Sequence, residues 1–351
     1  MPTGTIGYSA PGRCGIVGNP SDMYGGAVIS CSTRERAHVR VEKCEGLEIR
    51  VGDSVRAVNG PDDLRQDGGM FDAVLAAIEY FELESARIRI AVNSDIPVRA
   101  GLSGSTAVMT ALAACLLEWT AESGFAGEEK TLRCRGVLGN PYLLAETVRR
   151  IELYFLKIIC GYQDAYMCTF GSLRFLDFHD KEHYLALDRE PLGAAEDLAP
   201  YAPPLPLLLV HTGVQRVSGA VHKPVRDRWL DGDPAVVTGM LRLGHIARMA
   251  KRALLSGDWE LLGEAMTENH EIVRSLGSSS EVNERVIRTA LDAGAIAAKL
   301  AGAGKGGTVI ALHPEPEKLA EVFKEKGAGT VLFPAPMEGL RREKEDGCES
   351  R

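Results

Sequence analysis

Glycines and hydroxyl-bearing residues are concentrated in one stretch of this 351-residue sequence, residues 95–107. Gly101 and Gly104 would let the backbone approach a ligand closely. Three residues supply hydroxyl groups: Ser103, Ser105 and Thr106. A helix beginning here would add unpaired N–H groups and a partial positive charge, so the stretch predicts a cradle for an anion such as a nucleotide phosphate. A turn that only caps a helix is the alternative. The stretch contains neither a Walker loop nor a dinucleotide fingerprint.

Three carboxylates form a second group. Glu146 and Glu152 lie in the segment 141–159, which is predicted to be one long helix, and Asp164 follows the helix break at Gly161. Two such carboxylates could converge, one holding Mg²⁺ and the other lying beside a reacting hydroxyl. A solvated surface position is the alternative for any single glutamate.

Polar side chains and glycines also occur near both ends of the chain. Residues 5–19 are predicted to form two short extended pieces that flank turns. Four side chains here or just beyond could bind a polyhydroxyl ligand, although turn formation alone would also explain them: Arg13, Asn19, Asp22 and Tyr24. Far along the chain, residues 302–307 place four glycines between two predicted strands, which favours a ligand close to the backbone.

The elements that would position these groups form an α+β fold of two domains. Alternation of Arg with Ile and Val predicts a strand over 87–92, and small apolar residues predict a helix over 107–117. Other predicted strands cover 27–32, 37–43, 47–51, 172–178, 207–211 and 329–333, and other predicted helices cover 71–81, 234–256, 258–275, 281–293 and 317–326. A charged, Pro/Ala-rich boundary at 180–206 separates domains over 1–185 and 206–340, followed by a tail over 341–351 that is expected to be disordered.

Composition narrows the class of protein. The chain is 45% hydrophobic and 25% charged, as is typical of globular proteins, and its net charge of -8 argues against a nucleic-acid partner. The sequence shows neither an apolar run of membrane-spanning length nor a signal peptide, so we expect a cytoplasmic protein with no membrane partner. The eight cysteines form no Cys-x-x-Cys pair and are expected to be reduced.

Three glycine-bearing motifs, taken in order, resemble those of the GHMP kinases, which are named for galactokinase, homoserine kinase, mevalonate kinase and phosphomevalonate kinase. The matches are the opening motif at 11–18 and 22–26, the phosphate loop at 101–106 and the closing loop at 302–307. In the phosphate loop, Ser103 and Gly104 stand in exchanged order, which leaves open which amides would hold the β-phosphate. The resemblance covers nearly the whole chain and implies an N-terminal domain like domain 2 of ribosomal protein S5 and a C-terminal α+β sandwich.

The resemblance also implies ATP and Mg²⁺ as cofactors and roles for individual residues. Asp164 matches the catalytic aspartate, and Arg13 would lie beside it. Ser105 and Glu152 would hold Mg²⁺, with Glu146 as the alternative to Glu152. The implied ATP-binding residues are Pro97, Gly101, Leu102, Ser103, Gly104, Ser105, Thr106 and Gly304. The implied sugar-binding residues are Asn19, Asp22, Tyr24, Gly302, Ala303 and Gly304.

Within the family, the segments 18–22, 163–164 and 228–233 resemble kinases that act on glucuronate. We therefore expect transfer of the ATP γ-phosphoryl group to glucuronate, giving glucuronate 1-phosphate. The segment 150–164 also resembles heptose-phosphate kinases, so a heptose or heptose-phosphate kinase, another sugar 1-kinase and a non-catalytic sensor of sugar and ATP are the alternatives. The candidates to meet a substrate carboxylate are Arg13, Arg99, Arg216 and Arg226. We expect a monomer or a homodimer.

Overall fold

The computed structural model describes residues 4–181, 191–214 and 218–344. The strands are β1 (Ile6–Val17), β2 (Ala27–Lys43), β3 (Leu47–Val51), β4 (Ser54–Val58), β5 (Ile88–Ser94), β6 (Leu173–Asp177), β7 (Ala194–Asp197), β8 (Leu207–His211), β9 (Ala297–Leu300), β10 (Thr308–Leu312), β11 (Val331–Leu332) and β12 (Arg341–Arg342). The α-helices are α1 (Asp72–Phe81), α2 (Gly104–Ser123), α3 (Glu128–Leu138), α4 (Pro141–Arg150), α5 (Gln163–Phe170), α6 (Ser218–Leu230), α7 (Pro234–Ser256), α8 (Trp259–Ser275), α9 (Glu281–Asp292) and α10 (Pro316–Glu325).

A mixed sheet forms the N-terminal half of the molecule. Its strand order is β12-β1-β2-β5-β3-β4, β6 pairs with β2, and β7 pairs with β6. Neighbouring strands are antiparallel apart from β3 and β5, which are parallel. The apolar helix α2 packs against β1 and β2. The predicted α+β class is therefore confirmed.

Two long strands run through the centre of this sheet. The sequence predicts separate strands over 27–32 and 37–43, but β2 is continuous because β1 pairs with it along most of its length. The predicted turns within 5–19 are likewise wrong, since β1 is one strand. Its register shifts between Pro11 and Arg13 and again between Gly15 and Val17. Such irregularities re-aim side chains, and Arg13 lies between the two.

The helix predicted over 141–159 is shorter than expected. The α-helical part, α4, ends at Arg150, and a π-helical turn continues over Ile151–Phe155. In this turn the N–H of Leu156 donates to the carbonyl of Ile151 at 2.9 Å. A π-helical turn rotates the side chains that follow it and is frequent at functional sites. Glu152 lies within it.

A second, antiparallel sheet with the order β11-β8-β10-β9 forms the centre of the C-terminal half. Helices α8 and α9 contact β9, α10 contacts β8, and α7 packs on α8. α7 also contacts β2 and α8 contacts β1, so the two halves share buried apolar side chains. None of the described helices is long and apolar enough to cross a bilayer. The cysteines within the described ranges are free thiols, and Cys348 lies outside those ranges.

Two strands of the N-terminal sheet, β7 and β12, lie outside the predicted N-terminal domain, 1–185. β7 pairs with β6, so the N-terminal sheet extends beyond residue 185, and residues 182–190 between them lie outside the described residues. Near the C-terminus, β12 pairs with β1, and the Arg36 guanidinium donates to the carbonyls of Glu338 and Gly339 at 2.7 and 2.6 Å. The disordered tail predicted from residue 341 is therefore wrong for 341–344, whereas 345–351 lie outside the described residues.

Candidate active site

The glycine stretch forms a tight loop between β5 and the N-terminus of α2. Gly101 and Ser103 have positive φ angles of 79° and 60°, and α2 begins at the next residue, Gly104. The left-handed conformation costs a non-glycine residue about 1 kcal/mol, and Ser103 adopts it where the family pattern has glycine. Its hydroxyl is buried without a hydrogen-bond partner. The exchanged order of Ser103 and Gly104 thus places a serine in the left-handed conformation directly before the N-terminus of α2.

Arg13 joins this loop to the catalytic candidate Asp164. Its Nε and Nη2 atoms lie 2.7 and 2.5 Å from Asp164 Oδ1, and its Nη1 donates to the carbonyl of Gly101 at 2.8 Å. The backbone N–H of Arg13 also donates to the carbonyl of Leu102 at 3.0 Å. Burial alone would lower the pKa of Arg13, but the charge of Asp164 and the hydrogen bond to it raise that pKa above its usual value. The structure thus brings together the two predicted catalytic residues and the predicted phosphate loop.

Glu152 faces the start of α2. Its Oε1 accepts a hydrogen bond of 2.7 Å from the Thr106 hydroxyl, and the residue is only 3% exposed. The pKa of Glu152 is raised to about 8, chiefly by burial and also by the negative charge of Asp164. Ser105, the other predicted Mg²⁺ ligand, is exposed in the first turn of α2.

The rival carboxylate, Glu146, is engaged elsewhere. Its Oε1 accepts a hydrogen bond of 2.6 Å from the Tyr166 hydroxyl and forms an ion pair of 3.0 Å with Lys181. The geometry therefore favours Glu152 over Glu146 as the carboxylate beside the loop.

Carboxylates without a full set of positive partners suit a bound cation. Within the described ranges, no cluster of three His, Cys, Asp or Glu side chains could hold a metal ion alone. Mg²⁺ does not need one, because it is usually held by one or two carboxylates together with waters and substrate phosphates. Glu152, whose carboxylate is hydrogen-bonded only to Thr106 among the described residues, and the exposed residue Ser105 fit such an ion.

Two predicted sugar-binding residues instead hydrogen-bond within the protein. Asn19 is 5% exposed and its Oδ1 accepts from Lys299 Nζ at 2.8 Å. Asp22 is 4% exposed, and its Oδ2 accepts from the backbone N–H groups of Tyr162 and Gln163 at 2.8 and 2.9 Å. Both side chains therefore support the backbone around the site, and Asp22 holds the turn that precedes Asp164.

Tyr24, the third predicted sugar-binding residue of the opening segment, contacts the C-terminal half. Its ring lies 4.5 Å from that of Trp229 on α6, measured between centroids. Burial raises the pKa of Tyr24, and the negative charge of Asp22 raises it further. Tyr24 therefore lies close to the opening-motif carboxylate and to α6 at the same time.

The residues on either side of the closing loop, 302–307, bond to β1 and to the residue before the phosphate loop. Thr308 Oγ1 donates to the carbonyl of Ala100 at 2.8 Å, and the N–H of Gly15 donates to the carbonyl of Ala301 at 2.9 Å. At Gly304 a Cβ atom would come 2.0 Å from the carbonyl oxygen of Ser278, so this position requires glycine. Gly302 and Ala303 are partly exposed, and Pro97 is partly buried beside Ala100 and Thr308.

Two functional candidates were not found from the sequence. Lys299 is fully buried in β9, and Gln163 donates from Nε2 to the hydroxyl of Ser30. Gln163 lies in the turn over 161–164 that carries the candidate Asp164, here called the catalytic turn. The signal for Lys299 was present, because a single lysine in an otherwise apolar strand between a helix and a glycine loop is rarely left unpaired. For Gln163 the signal is its place in the segment 163–164, which resembles kinases that act on glucuronate.

Two segments of the chain match known protein families. Residues 71–172 match the GHMP kinases N terminal domain, and residues 250–328 match GHMP kinases C terminal. This chain belongs to the GHMP kinases, and it is an ATP-dependent kinase.

Individual relatives extend the match over nearly the whole chain. Glucuronokinase 1 of Arabidopsis thaliana is 30% identical over 95% of this chain and 93% of its own length. Mevalonate kinase of Thermococcus gammatolerans is 29% identical over 95% of this chain and 97% of its own length. Among solved structures, Lactococcus lactis galactokinase complexed with galactose superposes with a TM-score of 0.72 at 14% identity, covering 97% of this chain and 95% of that one. The last likeness shows the fold, and it confirms the two-domain GHMP architecture predicted from the motifs.

Proposed function

We propose that this kinase transfers the γ-phosphoryl group of ATP to glucuronate and forms glucuronate 1-phosphate. The observation that carries the reaction class is the Arg13–Asp164 pair, which bonds directly to the backbone of the phosphate loop. The choice of glucuronate is supported by the likeness to Glucuronokinase 1 and Probable glucuronokinase 2 of Arabidopsis thaliana.

Each part of the site has a task in an in-line transfer. The attacking sugar oxygen forms a bond to the γ-phosphorus, the bond to the β,γ-bridging oxygen breaks, and ADP leaves. Asp164 accepts the proton of the attacking hydroxyl, while Arg13 fixes the orientation of that carboxylate. The N–H groups at the start of α2 and of the phosphate loop stabilise the phosphate charge.

Ser105 and Glu152 are the residues that would hold Mg²⁺. The bound ion neutralises charge on the ATP phosphates. Thr106 keeps Glu152 oriented toward the start of α2 through its hydrogen bond of 2.7 Å. These assignments rest on the burial and partners of Glu152 and on the exposure of Ser105.

We assign the substrate carboxylate to Arg226. The contact between Tyr24 and Trp229 brings α6 against the opening segment, and Arg226 lies almost one turn before Trp229. The Arg226 side chain is 28% exposed, and its charge counteracts the raised pKa of Tyr24. It pairs with Asp227 at 2.8 Å, which leaves further guanidinium donors for a ligand.

The other candidate arginines are less suitable or cannot be placed. Arg13 is occupied by Asp164 and by the Gly101 carbonyl. Arg99 is exposed in the segment that leads into the phosphate loop. Arg216 lies outside the described residues.

The test is ATP consumption with identification of the phosphorylated product. The acceptors are glucuronate, galacturonate, glucose, galactose, arabinose, a heptose, heptose 7-phosphate and mevalonate, the last because mevalonate kinases are 25–29% identical to this chain. Asp164→Asn serves as the blank. Turnover of glucuronate with release of the 1-phosphate is the expected result. Preferred turnover of heptose, heptose phosphate or another sugar would overturn the substrate and keep the reaction, and ATP binding without turnover on any acceptor would support a sensor.

A further inference from the structure

Lys299 is a buried cation at the seam between the two halves of the molecule. It lies on β9, directly before the closing loop, and its side chain is fully buried. Its Nζ donates to Asn19 Oδ1 at 2.8 Å, to the Leu300 carbonyl at 2.6 Å and to the Gly15 carbonyl at 3.4 Å. Two of these acceptors belong to the opening segment, so one ammonium group links β9 to the other half of the protein.

This ammonium group is held by neutral acceptors. None of its hydrogen-bond partners among the described residues is a carboxylate. The charged and titratable groups that face it are Arg13 and Cys14 on β1 and His270 on α8. Burying a cation without a carboxylate is costly, and burial lowers the pKa of Lys299 to about 7. Such a cost is tolerated where the group has a specific task.

A continuous series of contacts leads from Lys299 to the catalytic turn. Asn19, which Lys299 binds through Oδ1, is also held at its backbone carbonyl by Asn269 Nδ2 at 3.2 Å. The 3₁₀ turn Ser21–Tyr24 follows almost directly and carries Asp22. Asp22 Oδ2 in turn accepts the N–H of Gln163 at 2.9 Å, one residue before Asp164.

The backbone is packed closely against the side chains of Asn19 and Asp22. A Cβ atom at Gly161 would come 2.0 Å from Asp22 Oδ2, and one at Gly15 would come 2.7 Å from Asn19. The backbone therefore packs directly on both side chains, and a displacement of the opening segment is transmitted to the catalytic turn. A misplacement of 1 Å is enough to reduce a catalytic rate about 100-fold.

We propose that Lys299 is a positioning residue of the phosphoryl transfer: through Asn19 and Asp22 its ammonium group holds the turn that presents Asp164. The assignment of the reaction rests on the proposed function, whereas the positioning of the turn does not. Lys299 itself touches neither substrate nor ATP, and its effect is carried by the opening segment of the other half.

The kinetic test uses Lys299→Met, with Lys318→Met as the matched control. Lys318 is an exposed lysine on α10 that pairs with Glu315. We expect Lys299→Met to lower kcat about 100-fold while the KM for ATP is nearly unchanged, because the phosphate loop keeps its contact with Arg13 and the preceding residue, Ala100, keeps its contact with Thr308. Wild-type kcat in Lys299→Met would overturn the proposal.

A second variant, Asn19→Asp, keeps the contact and changes its charge. A carboxylate at this position favours the protonated lysine, so the fall of kcat as the pH rises above about 7 should move to higher pH. The other facing groups do not interfere, because burial raises the pKa of Cys14 to about 12 and lowers that of His270 below its usual value. If the role of Lys299 were purely structural, the pH profile of kcat in Asn19→Asp would match that of the wild type. That result would contradict the proposal even if Lys299→Met does not fold.

Hydrogen exchange tests the positioning without any enzymatic assay. Peptides covering residues 160–166 contain the N–H groups of Tyr162 and Gln163 that Asp22 accepts. In Lys299→Met their exchange should be faster than in wild type and in Lys318→Met. Faster exchange in a protein that turns over no sugar would retain the positioning and discard the proposed function. Unchanged exchange would discard the positioning whatever the protein phosphorylates.

Discussion

Arg13 bonds to Asp164 through a single carboxylate oxygen. The Nε and Nη2 atoms of Arg13 lie 2.7 and 2.5 Å from Asp164 Oδ1, so the guanidinium contacts this oxygen through two nitrogens. The Asp164 side chain is 30% exposed, whereas that of Arg13 is only 8% exposed. The arginine thus holds the carboxylate from its buried side, while the carboxylate itself stays partly exposed.

Replacing Asp164 by asparagine should remove proton acceptance while the shape of the site is retained. We expect kcat to fall about 10²- to 10⁴-fold, the usual contribution of general base catalysis, with little change in the KM for ATP. Steady-state kinetics with glucuronate measures both values. A residual rate near that of the wild type would mean that Asp164 only orients the substrate.

Lysine should not replace Arg13, although the charge is kept. The guanidinium bonds to Asp164 and to the Gly101 carbonyl at the same time, and a single ammonium group lacks this fork geometry. Arg13→Lys is expected to lower kcat and also to weaken ATP binding, because the phosphate loop loses a contact. Isothermal titration with a non-hydrolysable ATP analogue separates the two effects. Binding equal to that of the wild type would show that the loop does not depend on Arg13.

Arg226→Gln tests the assignment of the substrate carboxylate. Loss of a hydrogen bond to a charged group costs about 1.5–3 kcal/mol, or roughly 10- to 100-fold in kcat/KM for glucuronate. The value for glucose, which lacks the carboxylate, should change little. Arg242→Gln is the control, since Arg242 is exposed and pairs with Glu268 away from the opening segment. Equal losses with glucuronate and glucose would refute the assignment.

Glu152→Gln and Glu146→Gln distinguish the two candidate Mg²⁺ ligands. In Glu152→Gln we expect the Mg²⁺ concentration that gives the half-maximal rate to rise at least roughly 10-fold, because the loss of a residue that only supports a metal ligand already weakens metal binding by this factor. In Glu146→Gln this concentration should not change. Glu146→Gln should instead lower thermal stability, because Lys181 and Tyr166 lose a charged partner. The reverse pattern would assign the ion to Glu146.

The buried ammonium of Lys299 should make stability depend on pH. The unfolded chain keeps this lysine protonated up to a pKa of 10.5, while the folded protein releases the proton near pH 7. Between these values the unfolded state binds more protons, so the free energy of unfolding of wild type should rise with pH relative to Lys299→Met, by at most about 1.4 kcal/mol per pH unit. Urea unfolding at pH 7, 8.5 and 9.5 measures the difference, and a constant difference would contradict a lowered pKa.

Elements that obey one local pattern could be predicted from the sequence. β8 and the helices α7, α8 and α9 lie within two residues of their predicted bounds, because apolar periodicity and flanking glycine or aspartate define them locally. The phosphate loop and the pairing of Arg13 with Asp164 could also be predicted, since family motifs mark the loop and both residues.

Features that depend on distant partners could not be predicted. The π-helical turn at Glu152 continues an ordinary helical pattern, and only its packing beside α2 reveals it. The roles of Asn19 and Asp22 depend on Lys299 and on two backbone N–H groups more than 130 residues away in sequence. Arg36 likewise binds carbonyl groups, which carry no signature in the amino-acid sequence.

The pairing of β12 with β1 has a consequence for biosynthesis. Translation proceeds from the N-terminus, and more than 300 residues are made between β1 and its partner β12. The first sheet is therefore completed late. Until then the edge of β1 is open, and the buried guanidinium of Arg36 lacks the carbonyls of Glu338 and Gly339. The nascent N-terminal half therefore reaches its final form only after residues 338–342 have been made, and a ribosome stalled before them would hold an incomplete sheet.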